Sequence, residues 1–529
     1  MPAANPLQRV GAEAWAAGRW AELAEAVLRS GDLEALAALL ELEARDDDAV
    51  LLDEHLPSLG RLPEGPWRRT AYALIALRTG HDEQALLDAL EQLCGEAPRT
   101  AAAIAVALVW RLADLALWDA AARFDRHLDA EAGSPEWFDA TGARALVGWH
   151  TAQSLEHFEL LREALAGPRQ QHRLDRGHAL ALVATGRVFA GLGDWNRAGN
   201  DLAQAVRLIP QRAASRLAAT KAELALARYR HGDWHGAALE ARSVDRMLGD
   251  ASALTMRSIR SSMRALQPVL AGERRLAEQR ILEARAALTE RRSLVAETAL
   301  LHARMLLAIS ADDGQVLLQL IESEDQPGYR RLYSRHEWLC LHALALRLSG
   351  SDARLRQLVA DWSGEPGAAQ SAYYWSHEAL LRMLDGDATA VDAAQRMLAG
   401  VRSTDDPLGR AWVRYVHGLV ETRLGDTETG IASLETARSA LLGFGAHELV
   451  ANCDEAIAAA RMRAPAVPDA LQPLTAQQRR IALLVAESRT SAQIAEELFL
   501  SKRTVDYHVA NVLDRLGLRG RHEIAALLQ

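Results

Sequence analysis

Gly193-Asp194-Trp195-Asn196-Arg197-Ala198 is answered 39 residues later by Gly232-Asp233-Trp234, and Gly386-Asp387 by Gly425-Asp426 at the same offset. Between and around these pairs, Gly272-Glu273, Ser310 to Asp313 and Gly350-Ser351-Asp352 fall on the same comb, as do Gly80-His81-Asp82, Trp118-Asp119 and Gln153-Ser154 upstream. The chemistry is that of a helix–turn–helix corner. Glycine ends one helix in the left-handed position, where a Cβ is disfavoured. Aspartate then caps the next helix by accepting from its unpaired N–H groups. An Ala/Leu-rich helix follows each corner, over 197–208 and 237–247, with apolar residues at three and four spacing such as Leu202, Ala205, Val206 and Ile209. No stretch alternates with period two, so an all-α fold is expected.

A period of 36–40 residues in a helical chain predicts an α-solenoid, since each hairpin can bury its apolar face only against its neighbours. This comb resembles the tetratricopeptide-like superhelical domain of the maltose-activator group of bacterial regulators, and it weakens before about residue 75, where Pro57, Pro63 and Pro66 intervene.

Composition excludes several classes. The 529 residues are 49% hydrophobic and 25% charged, the balance of a globular protein. The start of the chain shows no secretory signal, and the longest clean apolar run, 101–110, is too short to span a bilayer. Cys94, Cys340 and Cys453 are scattered, as expected of reduced thiols in a cytoplasm. Only Lys221 and Lys502 are lysines, and neither stands in a Gly-Lys-Ser/Thr phosphate loop. His336-Glu337 and His377-Glu378 lack a second histidine at zinc-protease spacing, there is no Gly-x-Ser-x-Gly elbow, and the acidic run Asp46-Asp47-Asp48 is expected to be a solvated turn. No enzyme activity, cofactor or metal site is expected. Trp195 and Trp234 are expected to wedge between repeats. Trp338, Trp362, Tyr373, Tyr374 and Trp375 either pack the core or line a ligand groove.

Residues 464–473 hold Pro465, Pro468 and Pro473, a composition that marks a semi-rigid linker between an array over 1–463 and a tail over 474–529. The last 59 residues carry a net charge of +2 against −12 for the rest. In the tail, Thr475 and Gln478 form a capping box for a first helix that buries Ile481, Leu484 and Val485. A short second helix turns Ile494, Ala495 and Leu498 inward. Phe499-Leu500-Ser501 makes the turn. A third helix from Lys502 to Leu516 buries Val505, Val509, Val512, Leu513 and Leu516 and stops at Gly517. Its other face carries Lys502, Arg503, Asp506, Tyr507, Ala510, Asn511 and Asp514. A polar helix of this kind fits the major groove.

Leu474-Thr475, Ile494-Ala495, Leu498, Leu500-Ser501, Thr504-Val505, His508, Asn511 and Leu516-Gly517-Leu518 resemble the LuxR-type DNA-binding domain of bacterial transcription regulators, over about 55 residues. The resemblance implies a four-helix module whose third helix enters the major groove. Asp506, Tyr507 and Ala510 then stand at base-reading positions, and Lys502, Arg503, Thr504, His508 and Asn511 at phosphate-contacting ones. Thr504 and His508 have an alternative role as hydrogen-bonding groups inside the module. The sequence departs from the family at Gln477-Gln478, where Arg-Glu is usual, at Ser488, where glycine is usual, and at Asp506, where many members have lysine. Ile524, Ala525, Leu527 and Leu528 on the fourth helix serve either a dimer contact or internal packing.

The expected function is that of a transcription regulator, an activator by family analogy, with double-stranded DNA as partner. A small-molecule or peptide effector of the array and RNA polymerase are the further partners expected, with a homodimer on DNA and no membrane. The competing expectation is a helical-repeat adaptor with a vestigial tail.

Overall fold

The computed structural model describes residues 6–7, 10, 20–45, 59–80, 83–115, 117–128, 130–210, 214–248, 254–270, 272–290, 293–311, 313–323, 335–401, 407–444, 447–463, 471, 473–498 and 501–527. The acidic run 46–48, most of the linker 464–473, the Phe499-Leu500 turn and Leu528 lie outside them. Among the described residues every regular element is a helix. The chain folds as two compact units, one of residues 1–365 with 403–408 and 443–447, the other of 366–402, 409–442 and 448–529.

The first unit is a series of helical hairpins. Pro66–Gly80 pairs with Glu83–Glu96, Pro135–Ala152 with Glu156–Gln170, Ala179–Gly191 with Trp195–Leu208, and Ala214–Arg230 with Trp234–Leu248. Leu254–Leu270 with Arg274–Glu290, Leu294–Ser310 with Gly314–Glu322, and Arg335–Leu348 with Asp352–Trp362 continue the series. The second unit holds the hairpin Ala372–Leu384/Ala390–Val401, all but the outermost residues of the hairpin Pro407–Leu424/Thr427–Phe444 and of the helix His447–Arg463, and the tail.

The corners are built as the Gly-Asp comb predicts. Gly193, Gly232, Gly272, Gly350 and Gly386 all take φ between 68° and 87°. The amides that follow fold back onto the preceding helix: Asp194 N–H donates to Phe189 O, Asp233 N–H to Arg228 O and Asp387 N–H to Arg382 O, each at 2.9 Å. Aspartate Oδ1 then caps the next helix, Asp194 accepting from Arg197 N–H at 3.0 Å and Asp233 from Gly236 N–H at 2.8 Å. The last corner differs. Gly425 is not left-handed, and Asp426 N–H donates to the Glu421 carboxylate Oε2 at 2.9 Å instead of to a carbonyl.

One register recurs inside the hairpins. Gly186 lies against Leu202 and Gly418 against Leu434, sixteen positions apart in both cases, so that the two helices approach closely where the side chain is missing. One residue earlier a buried polar pair repeats the spacing: Thr185 Oγ1 donates to Asp201 Oδ2 at 2.5 Å, and His417 Nδ1 bonds Ser433 Oγ at 2.9 Å.

Trp195, Trp234, Trp338 and Trp362 are packing residues. Trp195 and Trp234 are buried at the starts of their helices, with Arg230 of the next hairpin 4.8 Å from the Trp195 ring. Trp338, Trp362 and Tyr374 are buried too, Trp362 Nε1 donating to His336 Nδ1 at 2.8 Å. Tyr373 and Trp375 are half-buried, and Trp375 is fixed by a bond from Nε1 to Ala369 O at 2.9 Å. No described helix is long and apolar enough to cross a membrane, and the described residues hold no group of metal-ligating side chains.

Candidate nucleic-acid interface

The tail forms four helices, Ala476–Ala486, Ser491–Glu497, Lys502–Leu516 and Arg521–Leu527. Each start has a local cause. Thr475 Oγ1 accepts from Gln478 N–H at 3.4 Å while Gln478 Oε1 accepts from Thr475 N–H at 3.0 Å, closing the capping box read from the sequence. A second box, at Thr490 and Gln493, opens the second helix: Gln493 Oε1 accepts from Thr490 N–H at 2.9 Å, and Thr490 Oγ1 from Gln493 N–H at 3.2 Å. It follows the same Thr-x-x-Gln pattern and was open to the same reading. Ser501 Oγ accepts from Thr504 N–H at 3.1 Å at the head of the third helix, and Gly517, at φ 66°, ends it.

These helices enclose one small core of Leu471, Leu474, Ile481, Ala482, Leu484, Val485, Ile494, Ala495, Val505, Val509, Val512 and Ile524, with Leu498, Leu513, Leu516 and Leu518 at its edge. The inward stripes of the first three helices are those expected. On the fourth, Ile524 is an internal packing residue, whereas Leu527 is exposed. Arg521 ties this helix to the second: Nη1 donates to Ser491 Oγ at 2.8 Å and Nη2 to Arg489 O.

The outer face of the third helix is open. Lys502, Arg503, Asp506, Tyr507 and Ala510 are exposed, Tyr507 by 66%. Neither cation has an acidic partner among the described residues, and the free N–H groups at the head of the helix lie at the same end. Thr504, His508 and Asn511 are half-buried at the flank. Thr504 Oγ1 already bonds Ser501 Oγ at 2.7 Å, so its hydroxyl is engaged at the head of the helix. His508 stacks edgewise on Tyr507 at 5.7 Å, and its Nδ1 is buried with no hydrogen-bond partner among the described residues.

Other cations of the tail are engaged elsewhere. Arg515 Nη1 donates to Pro473 O at 3.3 Å. Arg479, on the first helix, pairs with Glu428 of the last hairpin, and Arg480 Nη1 lies 3.6 Å from Asp426 Oδ2. Nothing in the sequence pattern announces these two pairs, because they join residues about fifty positions apart.

The description "Bacterial regulatory proteins, luxR family" matches residues 472–528. Spore germination protein GerE of Bacillus subtilis is 38% identical over 50 residues, which are 10% of this chain and 68% of that protein. The chain belongs to the luxR family of bacterial regulatory proteins. Two further relatives are matched over smaller shares of their own length. The probable transcriptional regulatory protein SgaR of Hyphomicrobium methylovorum is 33% identical over 114 residues, 19% of this chain and 54% of that one. The DNA-binding transcriptional activator DevR/DosR of Mycobacterium tuberculosis is 33% identical over 96 residues, 18% of this chain and 44% of that one. The solved APC/C hetero-tetramer Cut9-Hcn1 contains a chain that aligns with 99% of this one at a TM-score of 0.46 and 11% identity.

Within the luxR-family module, the departure at Ser488 has a structural consequence. Ser488 sits at φ 63°, the left-handed region that the family's usual glycine enters without penalty. The corner is otherwise normal, with Arg489 N–H donating to Leu484 O at 3.1 Å. Asp506 is exposed on the outer face of the third helix, where many family members have lysine.

Proposed function

We propose that this chain is a transcription regulator that binds double-stranded DNA through its third tail helix, while the helical-repeat region receives the signal that governs binding. The observation that supports this reading is the outer face of the Lys502–Leu516 helix. It presents two exposed cations with no acidic partner among the described residues, an exposed tyrosine and an exposed carboxylate on a rigid helix whose other side is locked into a core. Asp506, Tyr507 and Ala510 meet base edges. Lys502 and Arg503 meet phosphates, with Thr504, His508 and Asn511 at the flank of the contact.

With two exposed cations on the face, one module neutralises few phosphates. Useful affinity then requires two copies on a two-fold site, since each phosphate contact adds roughly 0.9 to the salt slope. Activation of transcription, through RNA polymerase, is the direction we assign. An effector, a small molecule or a peptide, acts by favouring one arrangement of the array over another.

The test is a fluorescence-anisotropy titration of the full chain on DNA fragments from upstream of its own gene, across a salt series. Salt-dependent binding that Arg503→Ala weakens supports the proposal. Absence of salt-dependent binding to every fragment favours the adaptor reading.

A further inference from the structure

We propose that the corner at 425–428, at the tip of the last hairpin, is an electrostatic latch that holds the DNA-binding module through Arg479 and Arg480. Three observations meet there. First, both arginines stand on the first tail helix, not on the reading helix. Arg479 donates to Glu428 Oε1 with its side chain only 22% exposed, and Arg480 faces Asp426 at 3.6 Å. Two of the module's cations are therefore held by the array.

Second, this corner is built unlike those at Gly193, Gly232, Gly272, Gly350 and Gly386. There the amide after glycine folds back to a helix carbonyl; here Glu421 supplies a carboxylate to Asp426 N–H. Glu421 is itself buried. It accepts from Gln395 Nε2 at 3.2 Å and lies 3.6 Å from His417 Nε2, and His417 bonds Ser433 across the hairpin. A continuous polar chain thus runs from the interior of the last hairpin to the two acids that hold the module. A rearrangement of that hairpin moves Asp426 directly.

Third, the contact leaves the reading face open, since Lys502, Arg503 and Tyr507 remain exposed. The latch therefore sets where the reading helix is presented and does not cover it. Partly exposed ion pairs contribute little each and are screened over about a Debye length, ~8 Å at physiological salt. Such a latch is reversible and responds to ionic strength.

The test uses the full chain with Cys94→Ser and Cys340→Ser, nitroxide labels at Glu455→Cys and Glu497→Cys, both exposed sites, and pulsed electron-resonance distances between them. It needs no DNA, so its outcome is independent of the DNA-binding reading. A single narrow distance at low salt is expected, broadening at high salt and in Glu428→Arg, and recovering in the swap Glu428→Arg/Arg479→Glu. Arg479→Gln, which removes the charge from the other side, should broaden it as well. A distribution already broad at low salt, a narrow one indifferent to Glu428→Arg and Arg479→Gln, or a swap that fails to recover it, would overturn the latch.

Discussion

Arg230 Nη2 donates to Glu337 Oε1 at 2.6 Å although the two residues are 107 positions apart. With a period near 39, that separation is nearly three hairpins. The first unit therefore curls tightly enough for non-adjacent hairpins to touch, a contact that nearest-neighbour stacking alone does not produce. Both side chains are largely buried, and Arg230 also lies over the Trp195 ring.

Removing one partner of a buried pair weakens the compensation of the other's charge, at a cost of up to roughly 3 kcal/mol. Arg230→Ala is expected to destabilise the first unit by about that much, and Glu337→Gln by less. Urea unfolding followed by tryptophan fluorescence measures both. A change for Arg230→Ala within experimental error would show that the pair is dispensable to the curl.

Ser488 occupies a left-handed conformation that costs an L-residue on the order of 1 kcal/mol relative to glycine. Ser488→Gly should stabilise the tail by roughly that amount. Hydrogen exchange of Ile481, Val505 and Val512 amides in the full chain reads it as slower opening; faster exchange would mean that the serine side chain stabilises the corner.

His302 is held neutral by the fold. Burial pushes its pKa from 6.5 down to about 3, with the nearby Arg230 guanidinium acting in the same direction; the bond between its ring and Thr298 O opposes them. The unfolded chain thus takes up a proton below pH 6.5 that the folded chain refuses. Stability is present in full above pH 6.5 and is lost as pH falls from there toward 3. The melting temperature should decline between pH 7 and 5, and His302→Gln should make that decline shallower. An unchanged slope in the variant would place the acid sensitivity elsewhere.

Lys502 and Arg503 are equivalent in exposure and in lacking an acidic partner among the described residues. Each alanine substitution is expected to lower the slope of log K against log salt by about 0.9 per module, across specific and random DNA alike. Asp506→Asn should strengthen binding to both through lost repulsion, and weaken discrimination at one base pair. Anisotropy titrations over a salt series resolve these effects; an unchanged slope for both cation variants would remove them from the phosphate contacts.

The repeat corners were legible because their causes are local: a glycine that must be left-handed and an aspartate that must cap leave their mark in adjacent letters. The tail was legible for the same reason, from Thr475 and Gln478 to Gly517. What escaped was tertiary. The carboxylate of Glu421 displaces a backbone carbonyl at the Gly425 corner, and nothing in Gly-Asp distinguishes that corner from the others. The partners of Arg479, Arg480 and Arg230 likewise depend on how distant helices meet. The aromatic residues at 338, 362 and 374 were ambiguous in sequence because a buried tryptophan and a groove-lining one share the same helical spacing. Burial resolves them as core.

The most direct test of the account is a genome-wide map of bound sites for the wild-type chain and for Arg503→Ala/Tyr507→Ala, with the folded state of the variant checked by circular dichroism. Discrete wild-type sites that lose occupancy in the folded variant are the predicted result. A map that the double substitution leaves intact would contradict the placement of the Lys502–Leu516 helix against DNA.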